Sequence, residues 1–208
     1  MLFKRVKEAL VLMLVWLLHF RGGLNLNSHD PNRVFNVHPF LMFFGFMFFL
    51  AQGLVVYDGM VCRVVAIGLG GVGIRAAIKP HHTLNFGSHM RSLHSWIGIA
   101  AFSLFVLELA FGILKCCGDA AENSKEKPRK SGPTGRTVLY MATCAALSGL
   151  MERSASMDDL DGGGGRSHRE STIINVLALF ILLFAVSIDK AVVYAVAVNG
   201  RADCMPEA

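Results

Sequence analysis

Eight histidines are spread along the chain: His19, His29, His38, His81, His82, His89, His94 and His168. Two of them, His38 and His94, stand at the head of long apolar runs. Residues 38–57, HPFLMFFGFMFFLAQGLVVY, carry no charge, and residues 92–114, SLHSWIGIAAFSLFVLELAFGIL, carry only Glu108. A polar side chain at membrane depth is costly and tends to have a partner. Two imidazoles facing each other across a helical bundle can clamp a haem iron from both faces. Such iron is six-coordinate, which suits electron transfer rather than oxygen binding. The alternative, open at this point, is two polar residues at a membrane interface, hydrogen-bonded to backbone or water.

The elements that must position these imidazoles follow from the distribution of apolar residues. The chain is 53% hydrophobic and only 17% charged, whereas soluble domains are nearer about a quarter charged. A third run, 171–188, is also free of charge. A bilayer core of about 30 Å is crossed by about 20 such residues in a helix. Three weaker runs lie at 6–20, at 64–78 (broken by Arg75) and at 138–151. Counting all six predicts an all-α, polytopic membrane bundle, a single domain over residues 1–208, with both termini on one side and several spans short. Counting only the secure runs leaves three, the remainder interfacial. Six is the expectation. The N-terminal KRVK…VLMLVWLL also fits a signal peptide, but HFRGGLN supplies no small-x-small cleavage site.

Lysine and arginine set the orientation. With six spans, one set of ends holds Lys4, Arg5, Lys7, Arg63, Lys115, Lys125, Lys127, Arg129, Lys130, Arg136 and Arg201. The other holds fewer, and the richer set is expected to be cytoplasmic, with both termini. An even number of spans separates His38 from His94, so both are expected on the non-cytoplasmic side. Residues 21–37 and 118–136 read as loops, and 154–171, with DGGGGRSH, as a flexible linker.

Three other features carry less. Gly68, Gly70 and Gly73 satisfy G-x-G-x-x-G, but no acid follows at the spacing a dinucleotide site requires. Small residues in a membrane helix more often allow close helix approach. Cys62, Cys116, Cys117, Cys144 and Cys204 form no C-x-x-C, which argues against a zinc site or a disulfide framework. Cys116 and Cys117 stand at a span end where palmitoylation occurs, or are unmodified small residues. The net charge of +5 reflects the topology signal. No aromatic-interleaved basic patch marks a nucleic-acid partner.

Four segments resemble the cytochrome b561 family. NVHPFLMFFGF at 36–46 is similar to its second membrane helix, MRSLHSWIGIAAF at 90–102 to its fourth, and GRTVLYMATCAALSGLMER at 135–153 to its fifth, closest to plant members. WLLHFRGGL at 16–24 is similar to the end of its first. The resemblance implies a six-helix bundle with two b-type haems. It passes electrons from cytoplasmic ascorbate to monodehydroascorbate or ferric iron. His38 and His94 match the axial ligands of the non-cytoplasmic haem. Ser92 falls in a segment lining that haem, and Glu152 matches an acid near it. Lys79 and His81 fall where the family's outer substrate site lies, although Pro80 interrupts the usual wording.

The departures from the family are paired. The cytoplasmic haem needs a histidine early in the third helix and another early in the fifth. This chain runs from Val56-Tyr57 through DGM to Val61-Cys62-Arg63, as if about 20 family-like residues, with the ascorbate-binding lysines, were absent. Ser131 stands where the fifth-helix histidine belongs, and serine cannot replace imidazole on haem iron. The expectation is a membrane electron-transfer protein with one haem b site in place of the family's two, resembling a transmembrane monodehydroascorbate or ferric reductase. The alternative is a degenerate membrane protein without haem or redox activity. Expected partners are membrane lipid, ascorbate or monodehydroascorbate and a ferric chelate, with a homodimer compatible.

Overall fold

In a computed structural model, residues 2–55, 59–79, 92–119, 133–161 and 165–202 are described, with side chains placed between 6 and 198 except at 115–119, 133, 157–161 and 165–167. No strand occurs among them. Six helical rods form the molecule. The first is α1, Leu2–Val15, which runs on into a π-helical turn, Trp16–Phe20. The second rod, Pro31–Val55, is built from α2 (Pro31–Phe35), α3 (Val37–Phe40), a π-helical stretch Leu41–Met47, and α4 (Phe48–Val55). Then follow α5 (Met60–Ile78), α6 (Leu93–Asp119), α7 (Pro133–Asp161) and α8 (Gly165–Ala202).

Four helical segments are long and apolar enough to cross a membrane: Pro31–Val55, Met60–Ile78, Leu93–Leu114 and His168–Val198. The other two rods contain the short runs at 6–20 and 138–151 expected to span, but neither is long and apolar enough by the same measure. Lys7 and Glu8 in α1, and Arg136, Glu152 and Arg153 in α7, confine their apolar stretches. Both nevertheless pack in the bundle. Ala9, Met13 and Leu17 of the first rod are buried where it lies along α8, and Val138 and Leu139 of α7 are fully buried. Large apolar side chains on the outer faces of α6 and α8, such as Trp96, Phe111, Leu179 and Tyr194, are exposed. This is the surface expected where lipid replaces water as the surrounding solvent.

Two loop expectations need correction. Residues 31–37 are helical rather than loop. Asp30 caps the rod by accepting from the Asn32 N–H at 2.9 Å, and Pro31 takes the first-turn position where its missing N–H costs nothing. The glycine-rich linker is also shorter than 154–171, because α7 persists to Asp161 and α8 begins at Gly165. Ser154 and Ser171, hydroxyl to hydroxyl at 2.6 Å, join the two helices inside that stretch. Composition favoured a linker there, and packing of α7 on α8 overrides it.

The rod Pro31–Val55 carries Pro39 in its interior. Proline lacks the N–H for the bond back to residue 35 and crowds the preceding turn. The helix widens just beyond it, where the Phe48 N–H reaches back five residues to the Phe43 carbonyl. At its far end the rod turns tightly into α5. A Cβ on Gly59 would come within 2.9 Å of the Gly53 Cα, so only glycine fits there, and the Arg63 N–H starts α5 by donating to the Gly59 carbonyl at 3.0 Å.

Along their length the second rod and α5 touch through glycines. A Cβ on Gly70 would meet Phe102 at 2.8 Å and Phe46 at 3.2 Å, and one on Gly73 would meet Leu41 at 3.2 Å. Two glycines of the G-x-G-x-x-G pattern thus serve close helix approach. Gly68 has nothing within 4 Å.

Candidate functional site

His38 lies in α3 near the start of the second rod, and His94 in the first turn of α6. Chain direction puts both at one end of the bundle, the end at which α5 and α7 finish. Their ring centres are 5.9 Å apart, with planes inclined at 81°. Each imidazole is held from behind by a backbone carbonyl of another helix. His38 Nδ1 is 3.0 Å from the Gly73 carbonyl of α5, and His94 Nδ1 is 2.7 Å from the Ala145 carbonyl of α7. A carbonyl only accepts, so both Nδ1 atoms carry the proton. With Nδ1 so occupied, Nε2 is the nitrogen left to bind a metal, the arrangement that metal-ligating histidines adopt.

The neighbours explain why the rings sit where they do. Asn36, almost fully buried, donates from Nδ2 to the carbonyls of Arg21 and Gly23 at 2.9 and 2.8 Å. That fixes the start of the second rod against the end of the first. Ser92 caps α6: its Oγ accepts from the Ser95 N–H at 3.2 Å and contacts the Ser95 hydroxyl at 3.1 Å, which holds the turn bearing His94. On α7, Gly149 abuts the His94 ring, and a Cβ there would lie 2.8 Å from Nδ1. Gly149→Ala is therefore expected to push the ring off its carbonyl and to lower stability by about 1–3 kcal/mol. A thermal unfolding midpoint equal to that of the unsubstituted protein would contradict this packing.

The remaining expected residues are dispersed. Lys79, at the end of α5, is exposed and donates from Nζ to the Leu26 carbonyl at 2.8 Å, which ties the first connection to α5. His81 lies outside the described residues, as do Ser131 and the basic cluster Lys125, Lys127, Arg129 and Lys130. Glu152 is exposed on α7. The buried acid of this end is instead Glu170, which accepts from Trp16 Nε1 at 2.9 Å. Sequence reading passed over Glu170, although an acid just before an uncharged span is a recognisable signal.

Two half-buried arginines, Arg21 and Arg153, complete this end. Burial lowers both guanidinium groups below the ordinary arginine value, with Glu170 opposing the shift in each case. Arg153 is lowered further by the charge of Arg21.

The opposite end differs in kind. Phe46, Met47, Leu50, Phe105, Phe184 and Ile188 fill it and are buried. Two ion pairs stand there: Arg136 Nε donates to Asp189 Oδ1 at 2.7 Å, and Arg63 lies 4.0 Å from Glu108, the lone acid of the 92–114 run, whose Oε2 is buried without a hydrogen-bond partner. Among the described residues no group of three or more His, Cys, Asp or Glu side chains gathers as a closed metal site would require.

A polytopic helical bundle with two tautomer-fixed imidazoles facing one another at one end defines a class, the membrane proteins that carry a ligand site between helices. The particular family is given by comparison. The eukaryotic cytochrome b561 profile matches residues 37–157, more than half of the chain, and the chain belongs to that family. Among its relatives, a probable ascorbate-specific transmembrane electron transporter of Oryza sativa subsp. japonica is 29% identical, over 89% of this chain and 84% of that protein. A transmembrane ascorbate ferrireductase of Arabidopsis thaliana is 28% identical, over 85% and 78%. A transmembrane ascorbate-dependent reductase of Bos taurus is 29% identical, over 82% and 71%. Membership makes the chain an integral membrane protein of a family that implies haem b.

Proposed function

We propose that this chain is a membrane electron-transfer protein with a single haem b, held by His38 and His94 as axial ligands. The observation that carries the reading is the imidazole pair, 5.9 Å between ring centres, each Nδ1 on a backbone carbonyl. With each Nδ1 occupied by a backbone carbonyl, the two Nε2 atoms are the donors that would hold a haem iron. Haem would supply a one-electron couple. The chain's own carbonyls fix the Nδ1 side of both imidazoles, and Ser92 steadies the turn that carries one of them. No comparable pair supports a second haem among the described residues at the opposite end, where apolar side chains and ion pairs occupy the interior.

The relatives' activities extend the proposal. Ascorbate or monodehydroascorbate and a ferric chelate are the proposed redox partners. Lys79, at the end of α5, together with His81 is the proposed place of outer exchange, and Glu152 a residue at its rim. The test is a reduced-minus-oxidised spectrum of the purified protein. A b-type band is expected; its absence from a folded, haem-supplied protein would leave the non-haem reading instead.

The proposed topology puts the imidazole end on the non-cytoplasmic side and both termini in the cytoplasm, within one domain over residues 1–208. Lys125, Lys127, Arg129 and Lys130 then serve as a topology signal, each attracted to anionic lipid by about 1 kcal/mol when near the surface. Protease added to sealed vesicles is expected to cut between Lys125 and Lys130 from the cytoplasmic face. Cutting from the opposite face alone would invert the orientation.

A further inference from the structure

Among the described residues the imidazole end places two half-buried arginines beside one buried acid. Arg21 and Arg153 are half-buried and close enough for their charges to act on one another. The one buried carboxylate near them, Glu170, is engaged by Trp16. Asp30 also acts on Arg21, but it is exposed and lies 3.8 Å from Arg33. Arg153 Nε is buried without any hydrogen-bond partner. Two like charges sharing one buried acid, with only the exposed Asp30 besides and a buried donor left over, are unfavourable unless an anion completes the set.

The cluster is fixed beside the histidines. Asn36, two residues before His38, holds the Arg21 carbonyl. Arg153 lies one helical turn beyond Gly149, the residue against the His94 ring. Ser154, next to Arg153, is tied to Ser171 of α8, next to Glu170. The guanidinium groups are thus carried by two rods that both meet α8 at this end.

We infer that Arg21 and Arg153 form an anion site beside the imidazole pair, which takes carboxylate oxygens in charge-assisted hydrogen bonds, with Arg153 Nε–H as one donor. The carboxylates come from one of two sources: the propionates of a haem held by His38 and His94, or a small organic acid arriving from outside. The first source rests on the function proposed above, and the second does not. Arginine suits either, because its planar fork matches a carboxylate and stays charged when partly desolvated.

The experiment uses the full chain in detergent, as unsubstituted protein, Arg21→Gln, Arg153→Gln and the charge-keeping Arg153→Lys, each checked for helicity. Haem-free protein is titrated with haem b and with its dimethyl ester, and its thermal unfolding is followed with and without succinate. If propionates are the source, unsubstituted protein is expected to bind haem b about ten- to a hundredfold tighter than the ester. Both Gln variants are then expected to lose that preference and Arg153→Lys to keep part of it. If a free acid is the source, haem and ester bind alike, and succinate raises the unfolding midpoint of unsubstituted protein but of neither Gln variant. Failure of every protein to take up haem removes the proposed function, while the succinate series still reads the anion site. Loss of both signals, or succinate shifts equal in unsubstituted protein and Gln variants, overturns the inference.

Discussion

Replacing either His38 or His94 by alanine is expected to abolish the b-type spectrum, with haem affinity falling by more than the about 10–100-fold that loss of a supporting residue costs. Among the described residues neither imidazole has a ready substitute: His19 stacks edge-on against Phe20, and His29 and His168 are exposed. The measurement is the reduced-minus-oxidised difference spectrum of each variant, with far-ultraviolet circular dichroism to establish that the helices form. An unchanged spectrum in either variant would reject that residue as a ligand. A high-spin spectrum retained by one variant would mean that the other histidine holds the iron alone.

The second large effect concerns traffic across the bilayer. Haem is expected at no more than one per chain, and electron transfer from ascorbate on the termini side to ferric chelate on the imidazole side is expected to be negligible. The hydrocarbon core is about 30 Å thick. Below the imidazoles the interior is Phe46, Phe102, Phe105 and Phe184 with aliphatic neighbours, none of them a redox centre. Reconstitution in sealed vesicles, with ascorbate on one side and ferric chelate on the other, reads this directly. Sustained ferric reduction with leakage excluded would show that other residues hold a second haem. Exchange confined to the imidazole side is still expected.

Much of this architecture was legible in residue order alone. Long uncharged runs leave few alternatives to membrane helices, and a histidine at the head of two of them is a rare pattern with a narrow chemical meaning. The parity of spans between His38 and His94 placed both at one end without any coordinates. The carbonyls of Gly73 and Ala145 could not be foreseen, because each belongs to a helix whose rotation is set by tertiary packing. Gly149 reads in sequence as one more small residue, and only contact with the His94 ring gives it a role. Helix ends were the weakest part. Asp30-Pro31 is a recognisable start, yet the polar composition of 31–37 outweighed it. Glycines at 162–165 suggested a longer break than interhelix packing permits. That Glu170 is buried while Glu152 is exposed was hidden for the same reason, since exposure depends on which face α7 and α8 turn inward.

The two carbonyl contacts behind the imidazoles also bear on how a cofactor would arrive. Each ring is restrained when its helix docks, His38 by α5 and His94 by α7. Immobilising a side chain at the moment of binding costs about 0.5–1.5 kcal/mol. Here that entropy is surrendered during folding, so the imidazole pair is preorganised and the affinity of the proposed cofactor would be set by the bonds it makes rather than by the order it must impose.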